Sequence, residues 1–171
     1  MIPEVKPALL KPDNFSSFGD VIQTEAMPAF AINEGTTLRF NDLAEIDISD
    51  DDGKAIVSIF RGQPRKFPFE IRMLERHPLG SQAFIPLSGL SYFVVVADQA
   101  DSDRPGRIQC FLATKFQGVN YRKGIWHHPR IAIGGISDFL VIDRSGPGEN
   151  LEEVKLTLDK RLVLTDPESF S

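Results

Sequence analysis

Three histidines stand in this 171-residue chain, His77, His127 and His128. Two of them sit where a metal ion could be held. In an extended Phe69-Glu-Ile-Arg-Met-Leu-Glu-Arg-His77, alternate side chains share a face. One face reads Phe69, Ile71, Met73, Glu75, His77; the other reads Glu70, Arg72, Leu74, Arg76. The apolar stripe that should meet the core therefore ends in a carboxylate and an imidazole. Burying a lone glutamate is costly unless it meets a cation, a hydrogen-bond network or a proton. One metal ion would satisfy both groups. Read alone, the pair also fits a strand end that emerges into solvent. Gln82 follows five residues after His77, Gly89 seven after that, and Gly124-Ile-Trp-His127 much later.

These spacings resemble the two cupin motifs. The first sets two ligands two residues apart, a third four or five beyond, and a glycine seven further on. The second sets a histidine three after a glycine. The resemblance implies that Glu75, His77, Gln82 and His127 meet as metal ligands inside a small barrel, whose wall excludes water while the ion keeps positions open for a substrate. The chain departs from the pattern at three places: Glu75 stands where histidine is usual, Gln82 where glutamate is usual, and Arg122 in place of the second motif's proline. His128 points away from His127 in an extended segment and reads as a hydrogen-bonding structural residue. Trp126 reads as core or barrel rim.

Strands must position these groups. Segments 54–61, 69–77, 83–87, 91–97, 107–114, 130–133 and 138–143 are short, β-branched or alternating, with glycines and prolines spread between them. With no long amphipathic pattern, they predict a sandwich or barrel. One short helix is expected near the start, capped by Asp13, presenting Phe15 and Phe18 and ending at Gly19. Segment 150–164 fits a short helix or a strand. Ser49–Gly53 reads as a solvated acidic turn, and Asn33 with Gly35 as a turn. Asp143 and Arg144 could pair at a strand end. Cys110 shares a face with Ile108 and Leu112 and reads as a small core hydrophobe.

The length suits a single domain, 1–171. No apolar run is long enough to span a membrane as a helix, and no signal peptide is visible. One cysteine suits a reducing cytoplasm. A net charge of −5 argues against nucleic acid as a partner. Yet residues 61–130 hold eleven basic and five acidic side chains. That local excess suits a small anion, though internal pairing explains it too.

A closer resemblance lies in longer strings. Leu74-Glu-Arg-His-Pro-Leu-Gly-Ser-Gln-Ala-Phe-Ile-Pro86 is similar to the signature of the ureidoglycolate lyase family, within the cupin superfamily. So are Phe18-Gly-Asp-Val-Ile22, Ile32-Asn-Glu-Gly35, Arg39 with Asp42-Leu43, Gly118-Val-Asn-Tyr121, Trp126-His-His-Pro129 and Asp138-Phe-Leu-Val-Ile-Asp-Arg144. Arg130 stands where family members often carry leucine. The resemblance implies an all-β cupin-type double-stranded β-helix (jelly-roll) barrel with a few short peripheral helices. It also implies a homodimer, a divalent metal, usually nickel, and cleavage of (S)-ureidoglycolate to glyoxylate and urea.

That substrate is a hemiaminal, with hydroxyl, carboxylate and urea nitrogen on one carbon. Its elimination needs a base, an acid for the departing nitrogen, and cations for the carboxylate. On this reading the metal on Glu75, His77, Gln82 and His127 takes the hydroxyl and one carboxylate oxygen, and Arg39 or Arg61 grips the carboxylate. Tyr121 or a ligand-adjacent carboxylate returns the proton. Two rivals stand beside it. One is an amidohydrolase that releases ammonia and carbon dioxide. The other is a non-catalytic cupin that binds a small ligand.

Overall fold

A computed structural model describes residues 2–101 and 104–165. The expected unit 1–171 extends past these limits at Met1, 102–103 and 166–171, which lie outside the described residues. Two sheets face each other, the first antiparallel throughout and the second antiparallel except for its Ala8–Leu9 edge, which runs parallel to its neighbour. One runs Gly19–Ile22, Gly118–Tyr121, Gln82–Pro86, Ser137–Ser145, Lys54–Gly62. The other is built on the hairpin Tyr92–Asp101 and Arg104–Ala113, flanked by Ile131–Ala132 and Ala8–Leu9. His127 extends this second sheet, bridging Val96 on one side and Glu75 of strand Met73–Arg76 on the other. Glu152–Lys155 pairs beyond that strand. The architecture is all-β, as expected, with two sheets facing each other across one core. Among the described residues the one α-helix, Pro12–Phe15, is four residues long, and no helix is long and apolar enough to cross a membrane.

Between the sheets lies a core that draws Phe84, Val119, Tyr121, Phe139 and Val141 from one and Tyr92, Val94, Val96 and Phe111 from the other. A second core lies behind the hairpin. There Phe93, Val95, Ala97, Cys110 and Trp126 meet Ile71 and Leu164 of a small outer sheet formed by Glu4–Val5, Leu162–Leu164 and Phe69–Ile71. Strand 92–97 is therefore buried on both faces, which is why it reads Tyr-Phe-Val-Val-Val-Ala without alternation. Each buried valine or phenylalanine of this run contributes about 1.5–3 kcal/mol by leaving water. Cys110 packs with Ile108 and Leu112 in this second core, as its spacing predicts.

Several expectations change in the structure. Segment 69–77 is not one strand: it breaks at Arg72 into Phe69–Ile71 and Met73–Arg76, each with its own partner. Ile71 and Leu74 consequently enter the same outer core, three residues apart. Glu75 and His77 are thus not the tail of the Phe69–Ile71 stripe. The break at Arg72 resets the alternation and turns them to the barrel interior, away from Leu74. Gly19 does not end the helix. It opens a strand against Tyr121, where a Cβ would fall 1.8 Å from the Asn120 carbonyl oxygen, so glycine alone fits that approach. Pro12 opens the helix, and the Asn14 side chain, rather than Asp13, closes on it by accepting the Lys11 N–H.

Segment 150–164 resolves into strand Glu152–Lys155, a 3-10 turn Leu158–Lys160 and strand Leu162–Leu164. The acidic turn is tied down, because Arg144 donates to the Asp50 and Asp51 carbonyls and Lys123 pairs with Asp50. Arg144 therefore does not pair with Asp143, which sits on the opposite face of its strand. Asn33 and Gly35 turn as expected, both at positive φ, joining hairpin Phe30–Ile32 and Thr37–Arg39.

Candidate metal centre and active site

Glu75 and His127 exchange both backbone hydrogen bonds, at 2.7 and 2.8 Å. Such a pair places its side chains next to each other on one face. Here His127 Nε2 lies 3.6 Å from Glu75 Oε1. The turn that delivers His127 depends on Gly124, which takes φ +79° and donates its N–H to the His77 carbonyl. The glycine three before the histidine is thus the hinge that seats the second motif on the first. His77 follows, its ring centroid 5.4 Å from that of His127. One ligand atom from each of Glu75, His77 and His127 falls within 4.8 Å of the others.

The histidine tautomers are set by their backbone partners. His77 Nδ1 lies 2.6 Å from the Asn150 carbonyl and His127 Nδ1 2.8 Å from the Ile125 carbonyl. A carbonyl only accepts, so each Nδ1 carries the proton and each Nε2 offers a lone pair. Both Nε2 atoms are buried without a partner. Burial pushes the His127 pKa down to about 4, against the pull of the Glu75 carboxylate. Burial also opposes charge on Glu75, while the Arg130 guanidinium favours it, and the carboxyl lies below its ordinary range. A carboxylate oxygen and an imidazole lone pair therefore face each other across 3.6 Å. Two acceptors so placed in a buried setting call for a cation between them. The donor set of two imidazoles and a carboxylate suits a divalent transition metal.

The opposite sheet adds further polar groups inside the barrel. Gln82 sits directly across from Tyr121 in the ladder, so both side chains enter the barrel. The Tyr121 ring stacks on His127, centroids 4.2 Å apart and 18° from parallel. Its hydroxyl is buried without a partner, and burial raises its pKa. Gln82 Nε2 donates to Asp143 Oδ2 at 3.4 Å, which leaves Gln82 Oε1 and Asp143 Oδ1 as further buried acceptors without partners.

Arg39 and Arg61 do not join this cluster. Arg39 lies exposed on the outer hairpin. Arg61 is exposed too, and its Nε and Nη2 both bind Asp138, its direct partner across two strands. Neither residue the sequence offers for the carboxylate therefore lies beside Glu75, His77 and His127. His128 faces the outer core, edge-on to Phe69, as its position predicts. Asp143 and Arg130 are interior residues that sequence reasoning misses. In the sequence Asp143 reads only as a pairing residue, and Arg130 only as a departure from leucine. The signal available for Arg130 is its spacing, three residues after His127 within an otherwise apolar segment.

Comparison with known proteins gives a consistent picture. A family model described as ureidoglycolate lyase matches residues 2–163. A ureidoglycolate lyase of Burkholderia mallei is 55% identical over 152 residues, 89% of this chain and 88% of that protein. One from Pseudomonas paraeruginosa is 49% identical over 160 residues, 94% of each. One from Rhizobium leguminosarum is 52% identical over 139 residues, 81% of this chain and 83% of that protein. On a match that runs through both motifs and all the interior polar residues, this chain belongs to the ureidoglycolate lyase family.

Proposed function

We propose that the protein cleaves (S)-ureidoglycolate to glyoxylate and urea, a step of allantoin and purine catabolism. The observation that carries this reading is the convergence of Glu75, His77 and His127 within 4.8 Å, with both imidazoles oriented by backbone carbonyls. Glu75, His77 and His127 would hold a divalent metal, nickel on the family's precedent, with Gln82 Oε1 as the fourth ligand. Such an ion supplies Lewis acidity that lowers the pKa of a substrate hydroxyl.

In the elimination the substrate's O–H and C–N bonds break, while a C=O bond and a new N–H bond form. The urea nitrogen must therefore receive a proton. Tyr121 keeps its proton at neutral pH because burial raises its pKa, and its hydroxyl has no other partner. Asp143 Oδ1 is the adjacent carboxylate oxygen able to carry the same proton. Phe84, Phe139 and Tyr92 form the apolar core beside these groups.

The assembly fits a homodimer. Strand Lys54–Gly62 is an open sheet edge whose Ile56, Val57, Ile59 and Phe60 are exposed, and a second copy would cover it. A cytoplasmic setting suits the buried free thiol of Cys110. The test is a product assay on chelator-treated and metal-restored protein. Urea without ammonia, lost on chelation and regained with metal, is expected. Ammonia in place of urea would replace the lyase with a hydrolase, and no turnover at all would favour a binding cupin.

A further inference from the structure

We propose that Arg130 is the anchor for the substrate's carboxylate, an inference that rests on the lyase reading of the same pocket. The guanidinium carbon lies 3.4 Å from the centroid of the Phe84 ring and 4.8 Å from that of Tyr121. Both rings belong to the barrel interior. Tyr121 in turn stacks on His127, so the guanidinium and the Glu75–His77–His127 trio have the Tyr121 ring as a common neighbour. The charge of Arg130 also lowers the pKa of Glu75 and of His127, which agrees with that proximity.

Its Nε and Nη1 are buried without a hydrogen-bond partner, and among the described residues it forms no ion pair. A permanently charged guanidinium with buried, unsatisfied donors is costly to retain, and aromatic faces compensate only part of that cost. An entering anion satisfies it. A 2-hydroxy or 2-oxo acid carries its carboxylate on the carbon next to the oxygen that the ligand trio would receive. The two recognition elements therefore match the two ends of one small molecule. Glu75 feels this charge, but among the described residues no hydrogen bond or ion pair joins it to Arg130. Three other arginines of the basic stretch 61–130 are occupied elsewhere: Arg61 holds Asp138, Arg72 holds Glu70, and Arg76 lies over Trp126.

The experiment compares glycolate with its uncharged amide, glycolamide, by calorimetric titration of metal-loaded protein, alongside steady-state urea release. Arg130→Leu should weaken glycolate tenfold or more and raise KM for ureidoglycolate similarly, as expected for loss of a charged hydrogen bond. Glycolamide should change less than twofold, and the bound metal content should stay unchanged. Arg130→Lys should recover part of the glycolate affinity; it also serves as the test variant if the leucine protein does not fold. Glycolate binding unchanged in both variants, an equal loss for glycolate and glycolamide, or wild-type protein that ignores millimolar glycolate would each overturn the anchor. Protein that makes no urea yet binds glycolate through Arg130 would overturn the lyase reading and leave the anchor standing.

Discussion

His127 should make the metal-free protein sensitive to mild acid. Its imidazole is fully buried, and its pKa falls from 6.5 to about 4 because burial outweighs the Glu75 carboxylate. In the unfolded chain the group binds a proton near its ordinary value, so between the two values the unfolded state holds more protons than the folded one. Stability from this group is thus complete above about pH 6.5 and is lost as pH falls toward 4. Lowering pH from about 7.5 to about 5 should cost about 2 kcal/mol through this one group, because a tenfold change in proton binding is worth about 1.4 kcal/mol. His128, also depressed by burial, adds in the same direction. The assay is denaturant unfolding of chelator-treated protein at both pH values, for wild type and His127→Gln. The wild type should lose about 2 kcal/mol more than the variant on acidification. Parallel losses in the two proteins would refute the claim that burial holds His127 neutral, and with it the lone pair that a metal requires.

Three other outcomes follow from the same geometry. Tyr121→Phe should lower kcat by about 100-fold or more with little change in KM, since proton transfer contributes about 10²–10⁴-fold; a kcat within threefold of wild type would move the proton to Asp143. Val57→Lys combined with Ile59→Lys should convert a dimer into a monomer by light scattering, because both side chains are exposed on the open edge strand; an unchanged mass would place the interface elsewhere. Gly19→Ala should destabilise the fold by about 2 kcal/mol or more, since its Cβ would meet the Asn120 carbonyl at 1.8 Å; a melting temperature equal to wild type would contradict that packing.

The Glu75, His77 and His127 cluster is legible in the sequence because each member lies at a motif spacing, and because strand alternation turns spacing into facing. The alternation itself runs differently from the simple pattern. The stripe Phe69, Ile71, Met73, Glu75, His77 requires an unbroken strand, whereas the break at Arg72 divides it between two cores. A local sequence cannot show such a break, because it arises when two halves of a segment find different partners, Leu162–Leu164 and Glu152–Lys155. Short strands such as Gly19–Ile22 and Gly118–Tyr121 leave little periodicity to read, and their pairing is long-range. The run 92–97 is legible because burial on both faces removes polar residues altogether. Arg39 and Arg61 are candidates by charge type alone, and charge type does not say which side of a sheet a side chain takes. Arg61 turns outward to Asp138, while Arg130 turns inward over Phe84.

The central claim is that Glu75, His77 and His127 together hold a divalent ion. Equilibrium dialysis of nickel or manganese against wild type, His77→Ala and His127→Ala tests it most directly. The wild type should retain one ion per chain, and each variant should bind at least about 100-fold more weakly with its circular dichroism unchanged. Folded variants that bind the ion as tightly as wild type would contradict it.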